Sequence, residues 1–76
     1  MKNTGFEIVA EDVQNAFANI GQYLSIELAE ECHNKFTQEM LDSVEDAALY
    51  GNDIEEQTRN AYDEIIKIVN QNGLLF

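Results

Sequence analysis

The sequence predicts an all-α domain, built from three helices with a long one in the middle. Three observations support this prediction: the 76 residues include no proline, four glycines divide the chain into helix-length pieces, and apolar residues recur every three or four positions. Hydrophobic residues make up 45% of the chain, which is more than a disordered acidic tail carries. The length corresponds to a single domain, residues 1–76.

The first predicted helix runs from about Ala10 to Ile20. Glu11 and Asp12 fall in its first turn, where the helix dipole favours negative charge. Its apolar side has helical spacing and comprises Val9, Val13, Ala16, Phe17 and Ile20. The preceding residues, Phe6–Val9, are too few to define a period and are equally compatible with a short extended N-terminal segment.

The second and longest helix is predicted to begin after Ser25, a favourable N-cap, and to end near Tyr50. Its apolar side comprises Leu28, Ala29, Cys32, Phe36, Met40, Val44 and Ala47. A continuous helix of this length would extend roughly 37 Å. A break near Thr37 into two shorter helices is the alternative.

The third helix is predicted to begin at Asp53, with its side chain accepting from early amides and Glu56 reaching back in a variant of the capping box. Its apolar side comprises Ile54, Ala61, Tyr62, Ile65, Ile68 and Val69. Gly73 ends the helix, because glycine readily adopts the left-handed conformation. The apolar residues Leu74, Leu75 and Phe76 are expected to fold back onto the core or onto a second subunit.

The charge of the chain is strongly acidic and unevenly distributed. Fifteen Asp and Glu residues against four Lys and Arg give a net charge of −11, which argues against direct binding of nucleic acid or of an anionic membrane. Between Phe36 and Thr58 there are seven carboxylates and no Lys or Arg: Glu39, Asp42, Glu45, Asp46, Asp53, Glu55 and Glu56. Such uncompensated charge raises self-repulsion and indicates either a need for solubility or a basic partner.

The four carboxylates from Glu39 to Asp46 occupy about 10 Å of helix axis, within a factor of about two of the charge density of duplex DNA. In composition the chain resembles small acidic proteins that imitate DNA, such as phage inhibitors of restriction, CRISPR effectors and uracil glycosylase. These proteins share no single fold. The resemblance implies a non-enzymatic inhibitor, encoded by a phage or mobile element, that occupies the basic nucleic-acid-binding surface of a nuclease or defence complex.

The predicted partner-binding residues are the seven carboxylates together with Tyr50, since tyrosine is enriched at interfaces and Tyr50 lies beside the acidic stretch. One alternative is a helical adaptor, antitoxin or dimerisation module that binds through an apolar groove, with Leu74–Phe76 carrying the contact. In a third interpretation the acidic residues only keep a helix face solvated.

Catalytic and metal-binding chemistry is not predicted. Glu30 and His33 have the i,i+3 spacing of di-iron helical bundles, but the single histidine could complete such a site only in a symmetric dimer. A hydrogen-bonded histidine at the border of the core is the preferred interpretation. Cys32 falls on the apolar side of the second helix, which favours its burial as a small hydrophobic residue. The two acidic residues that precede it in the sequence disfavour the low thiol pKa that a nucleophile requires. We therefore expect no cofactor, no metal and no enzymatic activity.

The expected compartment is the cytoplasm. A single cysteine excludes an internal disulfide, the first nine residues lack the features of a secretory signal, and no apolar run approaches the roughly 18 residues of a membrane span. Because so short a chain buries only about 60% of its unfolded surface, a homodimer is left open.

Overall fold

The computed structural model describes residues 8–75, which form four α-helices and no β-strand. The helices are α1 (Ala10–Ala18), α2 (Ile26–Asn34), α3 (Gln38–Leu49) and α4 (Ile54–Asn72). The predicted all-α class is confirmed for this part of the chain. None of these helices is both long and apolar enough to cross a bilayer.

The prediction of one long central helix is wrong. Two shorter helices, α2 and α3, take its place, so the described residues form four helices and not three. The helix breaks after Lys35, near Thr37 as in the alternative interpretation. The Thr37 hydroxyl accepts a hydrogen bond of 3.2 Å from the Met40 amide and so caps the N-terminus of α3. The cap satisfies an amide that would otherwise lack a partner at the new helix start.

Two of the helix termini have a local explanation in the sequence. Ser25 caps α2 by accepting from the Leu28 amide at 3.2 Å, as predicted. Gly73 ends α4 with a left-handed φ of 61°, also as predicted. Before α1, Val9 has extended backbone, whereas Phe6 of the predicted extended segment lies outside the described residues.

The α1–α2 and α3–α4 turns lie at the same end of the molecule. α1 packs against α2 and α4, and α3 packs against α4. At one end, Asn19 after α1 and Ile54 at the start of α4 line the same groove. At the other end, His33 donates to the Ile8 carbonyl at 3.1 Å and Lys35 to the Leu74 carbonyl at 3.1 Å. We call the end with turns 19–25 and 50–53 the two-turn end.

A single cluster of buried side chains forms the core. The largest fully buried members are Phe17, Ile65, Val13, Val44, Val69 and Cys32. Leu74 joins this cluster and Leu75 packs against it, so the C-terminal tail folds back as predicted, while Phe76 lies outside the described residues. Three residues predicted on apolar sides are instead exposed at helix ends: Val9, Ile20 and Ile54.

Candidate partner-binding surface

The seven predicted carboxylates differ in exposure. Glu39, Asp53 and Glu55 are exposed, whereas four are half-buried: Asp42, Glu45, Asp46 and Glu56. Among the four carboxylates of α3, only Glu39 is therefore exposed. The part of α3 with the highest density of negative charge is therefore partly covered by neighbouring residues.

The carboxylates of α3 also point to different flanks of the helix. Glu39 lines a polar groove between α3 and α4, together with Lys67. Glu45 lines a groove on the other flank, beside Ile8 and His33, and its Oε2 is buried without a hydrogen-bond partner among the described residues. Six residues correspond to about 600° of helix rotation, which places these two side chains roughly 120° apart around the axis.

Several of the carboxylates have a local structural role. Asp53 Oδ1 accepts from the Glu56 amide at 2.9 Å and caps α4, as predicted. Glu56 reaches back to Asn52 rather than to Asp53, and its Oε1 accepts from the Asn52 amide and side chain at 3.2 Å each. Asp42 Oδ1 accepts from Gln38 Nε2 at 3.1 Å. These contacts order the carboxylates without neutralising them, since every donor is an uncharged amide.

The α3–α4 turn is where predicted site residues are both exposed and close together. Tyr50 ends α3 with 84% of its surface exposed, and Asp53 and Glu55 follow within the same short segment. The capping bond of Asp53 fixes the direction in which α4 leaves the turn. The turn thus presents one aromatic and two acidic side chains from a defined backbone.

Apart from Tyr50, sequence reasoning missed the exposed apolar residues at the same end of the molecule. We define the end cluster as the exposed large hydrophobic residues of the two-turn end: Ile20, Tyr23, Ile26, Leu49, Tyr50 and Ile54. Helical spacing placed Ile20 and Ile54 in the core, although 57% of Ile20 and 73% of Ile54 are exposed. The position of each next to a helix end was the only signal in the sequence, because apolar residues there have no neighbouring turn to cover them.

A groove of about 350 Å³ borders the end cluster between α1 and α4. Its walls are more apolar than polar, and they comprise Asn19, Ile54, Glu55, Thr58, Arg59 and Tyr62. This volume is at the small end of the range for ligand pockets, and the walls lack a histidine or cysteine. The groove is suited to an inserted apolar side chain.

His33 is a hydrogen-bonded residue at the border of the core, as predicted. Its Nε2 donates to the Ile8 carbonyl at 3.1 Å, and its ring stacks on Phe36 with centroids 6.3 Å apart. Within residues 8–75 no group of three or more His, Cys, Asp or Glu side chains is arranged to hold a metal ion. The contacts of His33 thus have a structural explanation.

Cys32 is fully buried, and this burial raises the pKa of its thiol, although Lys35 acts in the opposite direction. Because the thiolate is the reactive form, we expect the native protein to react with a disulfide reagent at least about tenfold more slowly than the urea-unfolded chain. The raised pKa contributes stability below the pKa of the unfolded thiol, and this contribution is lost as the pH rises through the folded value. Equal reaction rates in the two states would contradict the buried position.

Of the exposed residues of the predicted site, Tyr50, Asp53 and Glu55 lie together at the two-turn end, whereas Glu39 is in the first turn of α3, at the other end of that helix. The half-buried carboxylates of α3 add to the negative field around the two-turn end. A comparison of the chain with protein-family models, with curated proteins and with solved structures finds no match.

Proposed function

We propose that this chain is a non-enzymatic acidic protein that occupies the basic, nucleic-acid-binding surface of a partner protein. The partner class is a nuclease or defence complex, and the chain acts as an inhibitor encoded by a phage or mobile element, in the cytoplasm. One observation carries the proposal: the stretch of seven carboxylates without a Lys or Arg includes a turn at which Tyr50, Asp53 and Glu55 are exposed together.

In this mechanism, the carboxylates take the place of phosphate groups opposite Lys and Arg residues of the partner. Complementary charge of this kind accelerates association and makes it sensitive to salt. The half-buried carboxylates contribute to the long-range field, while Asp53 and Glu55 form direct contacts. Tyr50 supplies a large contact area with a polar tip, which slows dissociation.

Neutralising the three exposed carboxylates should weaken binding while preserving the fold. In the variant Glu39→Gln/Asp53→Asn/Glu55→Gln, the new side chain at position 53 still caps α4, because asparagine is as good an N-cap as aspartate. We expect affinity for the partner to fall at least about tenfold at roughly 50 mM salt and the difference to shrink near 200 mM. The measurement uses a protein captured from host lysate at low salt, then purified and assayed for displacement of labelled DNA.

A matched control removes the same charge elsewhere. The variant Glu30→Gln/Glu31→Gln/Asp63→Asn changes three exposed residues of α2 and α4 that lie outside the uncompensated stretch. This control should bind like the natural sequence. An equal loss in both variants would assign the effect to net charge alone, and failure to displace DNA from any captured protein would reject the proposal.

A second candidate function is an adaptor or dimerisation module that binds through apolar contacts. The end cluster favours it, whereas the residues first expected to carry it do not, since Leu74 is buried in the core and Leu75 is half-buried. Binding that is unaffected by salt would favour this candidate over the acidic surface.

A further inference from the structure

We propose that the partner presents a cationic amphipathic helix whose apolar side docks on the end cluster. Lys and Arg residues at the borders of that helix would pair with the acidic residues around the cluster. The inference rests on the proposed function, because it names the partner segment that meets this surface. Its first support is position: among the described residues, seven large hydrophobic side chains are at least 40% exposed, and six of them form the end cluster.

The shape of the two-turn end fits an inserted helix. Single exposed apolar residues are ordinary on protein surfaces, but six of them beside two turns at one end favour an interaction site there. The groove beside Ile54 adds an open depression of about 350 Å³ that an apolar side chain of the partner can partly enter. Amphipathic helices bind such surfaces with apolar residues at positions i, i+3, i+4 and i+7.

The charge around the end cluster selects a cationic occupant. Glu27 follows Ile26, while Asp53 and Glu55 flank Ile54, and all three carboxylates are exposed. The exposed Arg59 lines the groove beside Glu55 and offsets one of these charges, so the three carboxylates and Arg59 together leave an excess of negative charge. A second copy of this chain docked through the same surface would place these acidic groups near their counterparts, in addition to the repulsion between two chains of net charge −11. A helix bordered by Lys and Arg meets the same groups with attraction.

The test uses two synthetic peptides with identical Leu and Lys content. In the first, Leu residues form one side of a helix, and in the second the order is scrambled so that no apolar side forms. Each is titrated into the isotope-labelled chain, and amide resonances are followed by NMR. We expect shifts concentrated in residues 19–26 and 49–59, with the scrambled peptide binding at least about tenfold more weakly.

Two variants assign the effect to the end cluster. Tyr50→Ser/Ile54→Ser removes the two most exposed of the three end-cluster side chains beside the α3–α4 turn and should weaken binding of the amphipathic peptide at least about tenfold. Val9→Ser is the control, because Val9 is 52% exposed at the opposite end of α1. The affinity of this variant for the amphipathic peptide should be unchanged. The dispersion of the amide resonances verifies that both variants are folded.

Four outcomes would overturn the inference: equal binding of the two peptides, unchanged binding by the Tyr50→Ser/Ile54→Ser variant, absence of any binding, or concentration-dependent shifts of the same amides without peptide. The last outcome would assign the surface to a second copy of the chain. The proposed function fails separately, when the variant with neutralised Glu39, Asp53 and Glu55 retains full displacement of DNA from the partner.

Discussion

A Phe17→Ala variant should lose about 3–5 kcal/mol of its free energy of unfolding. Phe17 is 1% exposed and lies in α1, which packs against both α2 and α4. Its removal leaves a cavity where these helices meet, and only partial relaxation can fill it. Domains of this length have total stabilities of about 4–11 kcal/mol, so the variant should be close to unfolding. Urea unfolding followed by the circular dichroism of the helices measures the loss.

The control for this prediction is in the segment that follows the same helix. Ile20→Ala removes an apolar side chain of which 57% is exposed, and it should change the free energy of unfolding by no more than about 0.5 kcal/mol. A small loss for Phe17→Ala, comparable to that of Ile20→Ala, would show that α1 does not pack on its neighbours as described.

Local signals in the sequence predicted the helical class and most of the core. The N-caps at Ser25 and Asp53 and the left-handed Gly73 depend on residues within four positions of each helix end. The helical spacing of apolar residues, which predicted the burial of Val13 and Phe17, likewise depends only on residues three or four positions apart. Features of this range can be predicted because distant parts of the chain scarcely affect them.

The break that separates α2 from α3 could not be predicted from the period of the apolar residues. Apolar residues keep helical spacing through the break, from Cys32 through Phe36 to Val44, so the period alone does not reveal the change of direction. Whether Thr37 caps a new helix or continues the old one depends on the burial gained when α3 turns back onto α4. This gain in burial comes from tertiary packing, which the local sequence does not reveal.

The candidate site shows the same limit. The sequence identifies which residues carry charge, but the exposure of each carboxylate depends on what packs beside it. Glu45 is partly covered because the flank of α3 on which it lies faces Ile8 and His33. Glu55 stays exposed because it is in the first turn of α4, beside an open groove. These differences follow from the arrangement of helices and not from local sequence.

A Gly51→Ala variant should lose about 2–3 kcal/mol of its free energy of unfolding, through crowding and not through backbone conformation. A Cβ atom at position 51 would lie 2.5 Å from the Gln57 amide nitrogen and 2.8 Å from the Glu56 carbonyl carbon. Both are backbone atoms in the first turns of α4, so no side-chain rotation relieves the contact. The α3–α4 turn must open, which also displaces Tyr50. Urea unfolding measures the first effect.

Gly21 provides the matched comparison, because it is constrained for a different reason. A Cβ atom there would meet no atom within 4 Å, but the backbone has a left-handed φ of 82°. Gly21→Ala should therefore cost about 1–2 kcal/mol, and Gly21→Asn should cost less because asparagine tolerates this conformation. At position 51, asparagine should be at least as damaging as alanine, since its Cβ meets the same backbone. If asparagine were less destabilising than alanine by the same amount at both positions, the close approach between Gly51 and α4 would not explain the loss of stability at position 51.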